Sequence, residues 1–306
     1  MSLKSLLRKI APLRAFYGVC YEAFFGLLAK MNPMWFYQMR CRTSPLARWL
    51  DLQNPRTYAD KQVWLNFYWR HPLKSKCADK FEVREYVKEC GCEEILIPLI
   101  GVWDRVEDID FDKLPNRFAI KCNHGCGCNI ICKDKSKLNI AEAKSRLAKW
   151  LKKDYGITEL HYSTIKPRIV CEELLDDGVH VAPVDYKLHC LSGKFFACNA
   201  VIDRIPGQHG AKEILLDRDW KRMMLLRNEE PAELTCERPE DFDKMVEYAE
   251  CLAKPFPVVR VDFYYVNGRI YLGELTFTSA GGLGTAFSDE AQQVMGDLIK
   301  LPISVV

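Results

Sequence analysis

Val258–Phe277 reads VVRVDFYYVNGRIYLGELTF, two apolar runs on either side of Asn267-Gly268. Asn-Gly between such runs is a strong short-range hairpin signal, because both residues tolerate the positive φ that a tight turn needs. Arg260 and Asp262 on one strand, and Glu274 and Thr276 on the other, interrupt a setting of Val259, Val261, Phe263, Tyr271 and Leu272. Charges embedded in core strands need partners. Side chains alternate faces along a strand, so register decides whether these meet. A two-residue turn would set Asp262 and Glu274 on opposite faces. A three-residue turn of Val266, Asn267 and Gly268 would pair Arg260 with Glu274 and Asp262 with Leu272, gathering Arg260, Asp262, Glu274 and Thr276 on one face, and this is the register expected. Two carboxylates so close repel unless a cation lies between them. Either Arg260 supplies it, as an ion pair that stabilises the sheet, or a hard cation such as Mg²⁺ does so together with phosphate.

Upstream, Phe118–Asp134 reads FAIKCNHGCGCNIICKD. Strand-like runs flank a tight loop, with Lys121 delivered just before His124-Gly125-Cys126-Gly127. Glycine-flanked backbone can approach a phosphate closely, and a lysine at its edge adds a mobile point charge. The lysine precedes the glycines and no Gly-Lys-Ser/Thr follows, so this is not a Walker A loop. Cys122, His124, Cys126, Cys128 and Cys132 also offer zinc ligands, but their spacing fits no common finger or ribbon. Glu172 and Glu173 end the run Arg168-Ile169-Val170, and Asp185 and Lys187 follow.

Around these stretches the periodicities predict a mixture of helices and strands. Residues 54–69 and 79–90 read as helices, the second closed by Gly91, and 95–102 as a strand. Ile140–Lys153 places Ile140, Ala143, Leu147, Trp150 and Leu151 on one helical face behind an Asn139 cap. A further strand spans 168–174, a hairpin turns at Ser192-Gly193, and 239–254 is helical. The class is α+β. With 306 residues the chain can bury its core without staples, and 14 cysteines without scaffold-like spacing point to a reducing, cytoplasmic setting. A net charge of +3 gives no argument for nucleic acid. The charge is unevenly spread: residues 1–50 hold Lys4, Arg8, Lys9, Arg14, Lys30, Arg40, Arg42 and Arg48 against Glu22 alone. Leu3, Leu6, Leu7, Ile10 and Leu13 recur at helical spacing among the first of these, a basic amphipathic helix suited either to an anionic membrane surface or to packing on the main domain. The run 15–28 is too short and interrupted to span a bilayer.

The order of the segments NPRTYADKQVWLNFY, ADKFEVREYV, LIPLIGVWD, FAIKCNHGCGCNIICKD, IKPRIVCEELL, DYKLHCLSGK and VVRVDFYYVNGRIYLGELTF resembles the ATP-grasp superfamily, in detail its TupA-like branch, from about Asn54 to Pro302. The resemblance implies two α+β subdomains clasping ATP. Behind the basic helical extension (1–50) that the charge sets apart, it implies an N-terminal subdomain (51–115), a central subdomain with the flap (116–178) and a C-terminal subdomain with the metal site (179–306). It implies that Lys80 and Lys121 reach the nucleotide phosphates and that His124, Gly125, Cys126, Gly127 and Asn129 belong to a flap over them. Glu172, Glu173 and Leu174 look like the adenine hinge, and Asp185 like the ribose carboxylate. Arg260 looks like the arginine that stabilises the transferring phosphoryl group, assisted by Lys121 and Lys187. Asp262 and Glu274 look like Mg²⁺ carboxylates, with Thr276 standing where many relatives have Asn. Lys187, Asp203 and Arg204 fall on the acceptor side, Asp203 and Arg204 as substrate contacts.

The implied chemistry is phosphorylation of a carboxylate by ATP and attack of an amine on the acyl phosphate, with a uronic acid or similar carboxylate of a bacterial surface polysaccharide as the expected substrate. A kinase acting on a sugar hydroxyl is the alternative on the same ATP site. A glycosyltransferase is a further one, for which Asp108-Ile109-Asp110 is the only motif.

Overall fold

The structure, a computed structural model, describes residues 21, 23–203 and 211–302. The amphipathic helix expected at residues 3–13 lies outside the described residues, as do 15–20 of the run that follows it. The chain divides into two compact units, Met1–Asp51 and Leu52–Val306. In the first, residues 23–31 are helical and α1 (Pro33–Thr43) follows, started by Pro33 and by Asn32, whose side chain accepts from Trp35 N. Phe24, Leu27, Met31, Trp35 and Trp49 are exposed. No helix among the described residues is long and apolar enough to cross a membrane.

The second unit is α+β. It holds α2 (Tyr58–Tyr68), α3 (Pro72–Ala78), α4 (Val83–Glu89), β1 (Leu99–Trp103), β2 (Phe118–Cys122), β3 (Asn129–Cys132), α5 (Ile140–Leu151) and β4 (Ile169–Glu172). Then come β5 (Asp185–Leu191), β6 (Lys194–Ile202), β7 (Lys212–Leu216), α6 (Phe242–Ala253), β8 (Val258–Val266), β9 (Arg269–Thr276) and α7 (Asp289–Leu298). The strands form a four-stranded sheet, β1-β4-β2-β3, and a five-stranded one, β7-β6-β5-β8-β9, with antiparallel neighbours throughout.

Alternation sorts each sheet into a core face and a polar face. In the first, Phe118, Ile120, Ile169, Cys171 and Ile130 pack with Leu147 and Ala143 of α5. Ala119, Lys121, Val170 and Glu172 face the other way. In the second, Leu188, Val261, Phe263 and Leu275 share a core with Met245, Ala249 and Leu252 of α6. The opposite face carries Glu274, Asp262, Lys187 and Asn199 in one row across β9, β8, β5 and β6.

The expected register of the last hairpin is corrected. Val266 pairs with Arg269, so the turn has two residues, Asn267 and Gly268, both at positive φ (52° and 72°). A bulge between Asp262 and Phe263 then shifts the ladder by one, so that Asp262 stands opposite Glu274 and Arg260 opposite Thr276. Gly273 is the extra residue; a Cβ there would lie 3.1 Å from the Tyr264 ring and 3.2 Å from Asp262 O. The four polar residues do share a face, but the bulge, not a longer turn, puts them there. The helix expected over 79–90 is also shorter: Asp79 Oδ1 accepts from Phe81 N (2.7 Å) and Glu82 N (3.2 Å), ending α3 in a turn before α4 and leaving Lys80 between the two helices.

Candidate active site

The polar face of the second sheet is built around Asp262, 3% exposed. Arg260 reaches it with a fork, Nε to Oδ1 and Nη2 to Oδ2, both 2.6 Å. Lys187 Nζ, from the neighbouring strand, donates to Asp262 Oδ2 at 2.9 Å and to Asp185 Oδ2 at 2.5 Å. Glu274 lies 3.7 Å from Arg260 Nη2 and 3.4 Å from Lys80 Nζ, and its Oε1 accepts from Thr276 Oγ1 at 3.2 Å. Desolvation pushes the Glu274 carboxyl up, but Lys80, Arg260 and Lys187 outweigh it and hold the group at about 2. For Lys187, desolvation acts to lower the ammonium, and Asp262 and Asp185 more than compensate. His189 pairs with Arg260 across the strands; burial, with Arg260 and Lys187 alongside, drives its imidazole down to about 3, so it stays neutral.

The first sheet supplies the other half. Lys80 Nζ donates to Gly125 O at 2.7 Å, tying the 123–128 loop to the same lysine that faces Glu274. Gly125 lies against Tyr155, where a Cβ would fall 2.4 Å from the ring, and Gly127 has φ +70°. His124 is buried edge-on to Tyr155 and its imidazole is pushed down by that burial; Cys126 is exposed. Cys128 Sγ is 2.7 Å from Tyr155 Oη, and Cys132 Sγ bonds Asn116 O. Among the described residues no set of three or more His, Cys, Asp or Glu side chains is grouped to hold a metal. Asp262, Glu274 and the Thr276 hydroxyl nevertheless offer hard oxygen donors side by side, a partial set that suits a dication sharing its remaining ligands with phosphate.

Lys121, beside Asn129 in the ladder, meets Glu172 Oε2 at 2.6 Å, and Arg84 meets Glu172 Oε1 at 3.2 Å. The Glu172 carboxylate is thus engaged in holding a lysine, while Glu173 is exposed, with its N–H on Pro98 O, and Leu174 is half-buried. Asp185 sits within the charge cluster rather than apart from it. Asp203 forms an exposed ion pair with Lys212 at 2.9 Å at the end of β6, and Arg204 lies outside the described residues. Asp108 and Asp110 pair on the surface with Arg105 and Lys113.

Two residues passed over in the sequence matter here. Asn123, fully buried, donates to Asp79 Oδ2 (2.8 Å) and Lys166 O (3.0 Å) and accepts from Arg168 N (2.6 Å), while its carbonyl receives Lys80 N–H. It locks the turn bearing Lys80 to the start of the 123–128 loop. Arg84, second in α4, orients Glu172 while bonding Ile97 O at 2.9 Å.

No curated protein matches the chain. Among solved structures, an L-amino acid ligase from Bacillus licheniformis superposes with a TM-score of 0.45 at 14% identity, over 68% of this chain and 44% of that one. A D-alanine–D-alanine ligase from Bacillus anthracis, complexed with ATP, gives 0.44 at 16%, over 73% and 63%. A phosphoribosylamine–glycine ligase from Thermotoga maritima gives 0.42 at 13%, over 73% and 50%. The chain therefore spans less than two thirds of the length of each of these three. The family model described as TupA-like ATPgrasp matches residues 60–300, a span that takes in both sheets and every side chain of the charge cluster; the chain belongs to the TupA-like ATP-grasp family.

Proposed function

We propose that the protein is an ATP-dependent carboxylate–amine ligase that forms an amide through an acyl phosphate. The observation that carries this reading is Lys80, which bonds the glycine loop of one sheet and faces Glu274 of the other, so that both sheets address one charge cluster. In this reading Lys80 and Lys121 bind the phosphates of ATP, and residues 124–129 cover them. Hinge residues 172–174 take the base, and Asp185 contributes at the ribose end. Asp262 and Glu274, with Thr276, would hold Mg²⁺, which supplies charge neutralisation when bound. Arg260 and Lys187 are already desolvated and oriented, so they can balance charge on the transferred phosphoryl group without reorganising. Arg204 and Asp203 are assigned to the acceptor side. The substrate is a uronic acid or related carboxylate of a bacterial surface polysaccharide.

The test is to incubate the protein with Mg²⁺, ATP, uronic acids and amines, measuring ADP release and product mass. A condensed product that requires both acceptors is expected. A phosphorylated sugar would favour the kinase reading instead, and UDP-sugar turnover without ATP would sink both.

The first unit fits attachment to an anionic membrane surface. It combines the basic charge of residues 1–50 with exposed Phe24, Leu27, Met31, Trp35 and Trp49, the pairing of basic and aromatic side chains found at membrane interfaces. Full-length protein is expected to float with vesicles containing phosphatidylglycerol and to lose that association in high salt, whereas a chain lacking residues 1–50 stays in the dense fraction. Equal flotation of the two proteins would dismiss the idea.

A further inference from the structure

The loop between α5 and β4 carries a carboxylate that the roles above leave unused. Glu159 accepts a hydrogen bond from Thr278 Oγ1, two residues beyond Thr276, whose own hydroxyl bonds Glu274. The chain is gripped on both sides of Glu159 by one buried amide: Asn66 of α2 donates to Thr158 O at 2.7 Å and accepts from Leu160 N at 3.2 Å. Glu274 from β9, Lys80 from the α3–α4 turn, Cys126 from the flap and Tyr162 from its own loop are the titratable groups whose charge is felt at Glu159 or feels it. Every other carboxylate of the site has a lysine or arginine within 3.4 Å: Asp262 and Asp185 have Lys187, Glu172 has Lys121, and Glu274 has Lys80. Glu159 has a hydroxyl instead. A positioned carboxylate whose partner is neutral, beside the phosphate-facing groups, is suited to receive a cation from outside the protein.

We infer that Glu159 is the amine-side catalytic residue, binding a primary ammonium between itself, Thr278 and Tyr162 and taking its proton as the nitrogen attacks. The inference rests on the ligase reading. In the step, the ammonium gives one proton to Glu159, the freed nitrogen lone pair forms the C–N bond, and the C–O bond to phosphate breaks with its electron pair leaving on phosphate. The second nitrogen proton passes to the departing phosphate, so amide, neutral Glu159 and HPO₄²⁻ result. Burial raises the Glu159 carboxyl above its ordinary value, with Glu274 acting the same way and Thr278 and Lys80 opposing.

Three measurements on the full chain test this. With ¹³C-carboxyl-labelled glutamate, the resonance missing in Glu159→Gln identifies Glu159; methylammonium chloride should shift it saturably and lower its titration midpoint, while sodium chloride at equal ionic strength should not. Identical responses to the two salts overturn the inference. With ATP, Mg²⁺ and glucuronate or galacturonate, Glu159→Gln should lose methylamide formation by ~10²–10⁴-fold more than it loses hydroxamate formation, since hydroxylamine is neutral at the assay pH and brings no extra proton. Equal losses also overturn it. Absence of either product in the wild type counts against the ligase reading, and the resonance titration then decides Glu159 alone. Finally, a carboxyl raised in the folded state weakens folding as pH rises from its unfolded value through its folded value. Glu159→Gln should therefore raise the unfolding midpoint at neutral pH. A fall would mark Glu159 as a packing residue and overturn the proposal.

Discussion

Asp262→Asn is expected to remove the Mg²⁺ dependence of ATP binding and lower turnover on the order of 10²–10³-fold, the scale of removing one preorganised charge-stabilising group. The same change should cost ~3–5 kcal/mol of stability, because one member of a buried ion cluster is deleted while its partners remain. The carboxylate takes both arms of Arg260 at 2.6 Å and Lys187 at 2.9 Å. Asparagine has the same shape, so packing is preserved, but its amide N–H₂ would face cationic donors. Arg260 would retain Glu274 at 3.7 Å and Lys187 would retain Asp185 at 2.5 Å, compensation that keeps the protein folded without restoring the balance. Calorimetric titration with ATP, with and without Mg²⁺, reads the first effect, and a urea unfolding curve reads the second. Glu274→Gln is the informative companion: its side chain is 33% exposed, against 4% for Asp262, so it should forfeit metal dependence with a smaller stability loss. Unaltered Mg²⁺ dependence in both variants would refute the assignment of these carboxylates to a metal.

The cluster was visible in sequence because charge inside an apolar strand is anomalous whatever the partner, and the hairpin was visible because Asn267-Gly268 has few other uses. The register was not. A bulge is set by one residue, and Gly273 did not stand out in a strand even though a glycine there is a known mark of one. The α5 cap at Asn139 and the turn at Ser192-Gly193 appear as expected, since both are local chemistry: Asn139 accepts from Glu142 N, and Ser192 and Gly193 take positive φ. By contrast, Asn123 works through partners at positions 79, 166 and 168, and Glu159 is placed by Asn66 and Thr278. Such long-range contacts leave no periodic or motif signal, so an Asn among cysteines and a Glu in a loop look like ordinary polar residues until the sheets are assembled. Lys80 lies between these cases. Its Asp-Lys context came from family resemblance, whereas the Asp79 turn that frees it from a helix depends on a side-chain cap that competes locally with helix continuation.

Gly296→Ala should be among the most damaging single-methyl changes away from the cluster. Within α7, alanine in place of glycine would ordinarily gain ~1 kcal/mol from helix propensity. Here the added Cβ would fall 2.1 Å from Arg56 O, 2.8 Å from Thr57 Cα and 2.9 Å from Thr57 C, all main-chain atoms that cannot rotate away. Nor can α7 slide freely. Lys61 Nζ holds Gly296 O and Ile299 O, each at 2.8 Å, and Gln292 accepts from Ala59 N at 2.9 Å while donating to Leu283 O and Gly284 O. Overpacking of this kind costs ~1–3 kcal/mol or somewhat more, so the clash outweighs the propensity gain. At ~2–4 °C per kcal/mol for a unit of this size, a thermal midpoint several degrees lower is expected. The strain should also reach the site, because the Gly284 segment held by Gln292 follows Ser279, whose hydroxyl accepts from Arg260 Nη1 at 3.1 Å. Calorimetric unfolding and ATP turnover should therefore fall together in Gly296→Ala. A lower midpoint with unchanged turnover would show that the loop after β9 absorbs the displacement before it reaches Arg260, and an unchanged midpoint would show that the α2–α7 contact itself gives way at no cost.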